Sequence, residues 1–135
     1  MPFQYARDDA KHRLRVTISD PLTVDDLISS VDHQLADGTW LYGLLVDARG
    51  VLAFAPKPSD LQPFLSRVRD LVAAHGPRGP VALVSKQSVV ISGGHMYNVF
   101  GGKTESLEMF WDMDDARRFL DKAQTAAAIV SDSRS

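Results

Sequence analysis

No cysteine occurs among the 135 residues. That excludes disulfides, thiolate metal ligands and thiol nucleophiles together, leaves stability to packing, and fits a reducing cytoplasm. Long hydrophobic runs are missing too: no stretch is long enough to span a bilayer, and Met1-Pro2-Phe3-Gln4-Tyr5-Ala6-Arg7-Asp8-Asp9 lacks the continuous apolar segment of a secretory signal. A cytoplasmic protein without stable membrane insertion is expected. Neither sign of charge dominates, since 15 Lys and Arg against 17 Asp and Glu give a net charge of -2. The basic residues are interspersed with acidic ones, so no field draws in phosphate backbones, and nucleic acid is not an expected partner. There is no Gly-x-Ser-x-Gly elbow, no nucleophile with a base close by in sequence, and no paired carboxylates suited to acid-base work. The Asp pairs at 8-9, 25-26 and 114-115 suit turns and helix starts, so a non-enzymatic protein without a cofactor is expected.

What is present is a balanced globular composition, 44% hydrophobic and 24% charged, in a length suited to one α/β domain. Residues 1-130 read as that domain and 131-135 as a flexible polar tail. Leu14, Val16 and Ile18 alternate with polar residues, which predicts a strand with one buried and one wet face. Phe3-Gln4-Tyr5 suits a hairpin partner, turning at Asp8-Asp9. Thr23 and Asp26 have capping-box spacing, and Val24, Leu27, Ile28, Val31 and Leu35 then predict a helix that Gly38 stops. Trp40 to Asp47 reads as a buried central strand with Asp47 at its exit. Ser59 and Gln62 have the spacing of a second capping box, opening a helix with Leu61, Phe64, Leu65, Val68 and Val72 inward and Pro63 in its first turn. Pro80 to Ser85 and Ser106 to Trp111 read as further strands, and Asp112 with Asp115 caps a last helix carrying Met113, Ala116, Phe119, Leu120 and Ala123. Between them, Val89-Val90-Ile91 favours a strand whereas Met96, Val99 and Phe100 have helical spacing.

Three blocks in order, Gly38 to Asp47, Gly76-Pro77-Arg78-Gly79-Pro80-Val81-Ala82, and Phe110-Trp111-Asp112 through Phe119-Leu120, resemble the SpoIIAA-like family of STAS and SEC14-type domains. The resemblance implies a single-domain α/β fold with a mixed four- to five-stranded sheet and about four helices packed mainly on one face. It also implies a helix over Gln87 to Phe100. Phosphorylated antagonists of that family carry a pattern like Asp-Ser-Ser-Gly after a strand, with a serine as phosphate acceptor. Here the stretch is Asp47-Ala48-Arg49-Gly50, which has no hydroxyl. Ser59, at an expected helix start, is the nearest substitute.

Candidate site residues follow from position. Asp47 and Arg49 flank the carboxyl end of a central strand, where open α/β sheets bind ligands, and they also suit pairing with one another. Phe54, in a loop, suggests an exposed contact, whereas Trp40, Tyr42 and Trp111 read as core aromatics. His95 and Tyr97 share a segment placed near the same strand ends. The four histidines are scattered without metal-ligand spacing, so no metal is expected. Gly102-Lys103-Thr104 lacks the glycine spacing of a phosphate loop and reads as a turn. The function expected is a regulatory or protein-interaction module acting through Asp47, Arg49, Phe54 and Ser59. The alternative is a carrier or sensor of a small apolar or anionic ligand, held between sheet and helices near His95 and Tyr97. A homodimer stays open, without a heptad or apolar seam to favour it.

Overall fold

A computed structural model describes residues 3–53, 57–86 and 107–133. Five strands form one mixed sheet in the order β1-β2-β3-β4-β5: β1 (Phe3–Asp8), β2 (Arg13–Ser19), β3 (Gly43–Gly50), β4 (Val81–Val84) and β5 (Leu107–Phe110). Only β1 runs antiparallel, and it forms the expected hairpin with β2 in the register Tyr5 to Val16. The other strands are mutually parallel, as crossover connections require.

Helix α1 (Val24–Ala36) starts at the box read from sequence. The Thr23 side-chain oxygen accepts the Asp26 amide at 3.1 Å, and the Asp26 carboxylate accepts the Thr23 amide at 2.9 Å. Two free helical donors are satisfied reciprocally. Helix α2 (Pro58–His75) starts earlier than expected, with Lys57 as N-cap; the Asp60 carboxylate accepts the Lys57 amide at 3.0 Å. Ser59 therefore lies exposed within the first turn and does not cap it. The shift also makes Pro63 the sixth helical residue, beyond the first turn. Helix α3 (Met113–Ser133) is opened by Asp112, whose Oδ1 accepts the Asp114 amide at 2.8 Å, and it continues through 131–133, where a tail was expected.

Right-handed crossovers place α1 and α2 over the same sheet face. Val31, Leu61, Leu65 and Val68 pack between those two helices. α3 covers the opposite face, where Leu120 and Ala116 meet Leu45, Ala82 and Val84. Among the described residues two helices thus lie on one face and one on the other. Three helices are present among the described residues; the fourth, expected over 87–100, lies outside them, as does Gly102-Lys103-Thr104.

Two local readings need correction. Trp40, Leu41 and Tyr42 are not strand: they form a turn before β3, with the Tyr42 amide donating to the Thr39 carbonyl at 3.0 Å. The apolarity of Trp40 serves the α1–α2 cluster instead, and its Nε1 donates to the Gly76 carbonyl at 2.9 Å. β3 consequently runs on past Asp47 to Gly50, opposite Ser19 of β2. The second correction concerns the polar face of β2, which is not uniformly wet because α3 lies across it. Arg13 is 8% exposed and donates to Asp121 at 2.8 Å and to Gln124 at 2.6 Å. The Gln124 amide donates in turn to the carbonyls of Lys11 and His12, tying α3 to the hairpin turn.

Candidate functional site

Between the sheet and the α1–α2 layer lies a partly open cavity of about 150 Å³. Its floor is the alternating apolar face of β2 and β3, Leu14, Val16 and Ile18 beside Leu44, Val46 and Ala48, and its roof includes Leu27, Val31, Leu61 and Leu65. The period-two pattern that buries these strands creates the apolar floor. The α1–α2 pair completes the roof without filling the space beneath. At the side, the Tyr5 ring stacks on His33 of α1 with centroids 4.0 Å apart. Burial pushes the Tyr5 phenol up, and the Asp26 carboxylate adds to the shift.

Polar groups in the described lining are few: Tyr5, Ser30, Gln34 and Arg78. Ser30 Oγ donates back to the Leu27 carbonyl at 2.6 Å. Gln34 is 2% exposed; its Nε2 donates to the Thr39 carbonyl at 2.9 Å, and its Oε1 accepts from Arg78 Nη2 at 2.6 Å. The Arg78 guanidinium also stands 5.3 Å over the Trp40 ring, within cation–π range. Arg78 is therefore held from two sides by α1 and the turn before β3. The local pattern around Arg78 gave no reason to single it out, because the preceding Gly76-Pro77 reads as a turn; only the packing of Gln34 and Trp40 against it reveals the arrangement.

The residues singled out from sequence separate. Asp47 and Arg49 are together, on the sheet face opposite the cavity. Asp47 is 7% exposed and accepts from Arg49 Nε at 2.9 Å, from its Nη2 at 2.8 Å and from its backbone amide at 3.2 Å. They form the mutual pair that their spacing allowed, and the Arg49 hydrogen bond holds the Asp47 carboxyl below its ordinary range despite burial. Ser59 is exposed on the first turn of α2 and makes no part of either group. Phe54, His95 and Tyr97 lie outside the described residues. Of the aromatics expected in the core, Trp40 is buried, but Trp111 is 62% exposed. It follows β5 at the carboxyl edge, with Lys86 Nζ 5.5 Å from its ring. Leu52, 64% exposed, is at the same edge, fixed by its amide donating to Asp20 at 2.8 Å.

The Asp47–Arg49 pair carries a pH prediction. A carboxyl whose folded pKa is depressed contributes stability above its unfolded pKa of about 3.9 and loses it as pH falls through the folded value. Asp47→Asn should therefore cost about 1–2 kcal/mol at pH 7. Its stability gap to the parent should close in strongly acid solution, as read by urea unfolding at several pH values. A gap that stayed constant with pH would show that the amide loses packing rather than charge.

No group of three or more His, Asp or Glu side chains suited to a metal occurs among the described residues. No helix there is long and apolar enough to cross a membrane. In comparisons with known proteins, no family model and no curated sequence matches the chain.

Proposed function

We propose that this protein is a non-enzymatic carrier or sensor of a small, mainly apolar molecule, bound between the sheet and α1–α2 of a SpoIIAA-like scaffold. The observation that carries this reading is the apolar cavity itself, about 150 Å³ and partly open, under an otherwise interdigitated layer. Protein interiors are normally packed to crystal density, and an apolar cavity of this size is enough for a benzene-sized guest.

The test is methyl-detected NMR with added benzene. Methyl groups of Val16, Val46 and Leu65 should shift on titration, while those of Leu120, on the other face, should not. Ser30→Leu should fill the space from α1. Because leucine also favours a helix more than serine does, the variant should be more stable by about 1 kcal/mol while losing the benzene response. An unchanged response in that variant, or shifts spread equally over both faces, would sink the reading.

A second reading, a regulatory module that docks a protein partner, draws on the exposed Leu52 and Trp111 at the carboxyl edge. Double replacement by serine should then weaken partner capture without altering the benzene response.

A further inference from the structure

The cavity has two chemically different ends. β2 to β5 are parallel, and α1 and α2 return against them, so the carboxyl end of α1 and the entry to β4 both lie at the amino edge of the sheet. Gln34 and Arg78 are there. Ile18, Ala48, Val51 and Leu61 line the space toward the carboxyl edge and supply only hydrocarbon. Among the described lining residues, Arg78 is the single charged one. Its guanidinium is already oriented, with Nη2 donating to Gln34 Oε1 at 2.6 Å and the group 5.3 Å over the Trp40 ring.

We propose that the ligand is a short-chain monocarboxylate bound head-in, its carboxylate at Arg78 and its hydrocarbon chain directed toward the carboxyl edge; this rests on the cavity being a binding site. Two arguments support it. A carboxylate entering an apolar space loses its hydration, which is tolerable only beside a compensating charge; a planar guanidinium held by neighbours provides that with little ordering cost. Size limits the guest: a cavity of about 150 Å³ is of the size that takes a benzene-sized apolar body, so a short chain such as that of hexanoate is the fitting probe.

The experiment compares hexanoate, 1-hexanol and hexylammonium by methyl NMR titration at pH 7, on the full chain. Hexanoate should bind at least tenfold more tightly than 1-hexanol, and hexylammonium should not bind detectably. Arg78→Gln should reduce hexanoate to the affinity of the alcohol or below while changing 1-hexanol less than about twofold, and Arg78→Lys should recover part of the difference. Orientation is read separately in a Trp111→Phe background, where Trp40 is the single tryptophan. There, 2-bromohexanoate should quench Trp40 more strongly than 6-bromohexanoate. If 1-hexanol binds as well as hexanoate, or the quenching order reverses, the head-in carboxylate is overturned and the apolar site stands. If none of the three probes nor benzene binds, the site itself falls. Should Arg78→Gln fail to fold, the comparison of probes and the bromine order on the unaltered guanidinium still decide.

Discussion

Gly79→Ala is expected to cost about 3 kcal/mol or more, a large share of the roughly 5–15 kcal/mol that stabilises an ordinary domain. A methyl group at Gly79 would lie 2.5 Å from the Leu41 carbonyl oxygen and 2.8 Å from its carbon, and closer still to the carbonyl oxygen of Tyr42. These are backbone atoms, so no side chain can rotate out of the way. The two segments are also joined by the Gly79 amide donating to Trp40 at 3.1 Å and by Trp40 Nε1 donating to Gly76 at 2.9 Å. Relieving the clash means separating the entry to β4 from the turn before β3, and with it the packing of Trp40 and the placement of Arg78. Gly38→Ala provides the comparison. Gly38 has φ +74° with open space around it, so alanine there meets conformational strain alone, about 1–2 kcal/mol. Chemical unfolding followed by circular dichroism should show Gly79→Ala as much the worse of the two. Equal losses would mean that the close approach is not what requires glycine.

Leu120→Ala is expected to be the most damaging of the ordinary core truncations, at about 3–4 kcal/mol, and Leu65→Ala to cost nearer 2 kcal/mol. Both residues are almost wholly buried, Leu120 at 0% and Leu65 at 1% exposure, so burial alone would rank them together. Their surroundings differ. Leu120 sits where the small side chains of Ala82 and Ala116 let α3 approach the sheet, packed with Leu45 and Val84. Leu65 borders the cavity and so has fewer partners to lose on that side. Leu65→Ala should also enlarge the site and retain benzene binding, whereas Leu120→Ala should leave binding unchanged wherever it folds. Denaturation midpoints for the pair check the order. The reverse order would mean that the α1–α2 side is the more tightly packed.

Much of the fold was legible because it depends on neighbours in sequence. The alternation of Leu14, Val16 and Ile18, the Thr23–Asp26 box and the Asp112 start of α3 were each readable within a few residues, and each is present. The errors arose where identical local chemistry serves distant partners. Trp40 looked like strand because it is apolar, but its partners are α1, α2 and Gly76. Trp111 looked like core for the same reason and lies exposed at the sheet edge. Ser59 and Asp60 both offer a capping oxygen, and the chain uses Asp60 because Lys57-Pro58 begins the helix two residues sooner than the serine implied.

By itself the sequence determined the α/β order of the described elements and the alternating faces of β2, and its two-residue spacing permitted the pairing of Asp47 with Arg49 beside a binding role. Period, cap chemistry and short separation are local quantities. The tertiary structure alone decided that Arg13 is buried under α3, that helices cover both faces, and that the cavity lies on the side opposite Asp47 with Arg78 at one end. Those outcomes depend on how far each helix layer stands from the sheet, a distance set by side-chain volumes contributed from opposite ends of the chain.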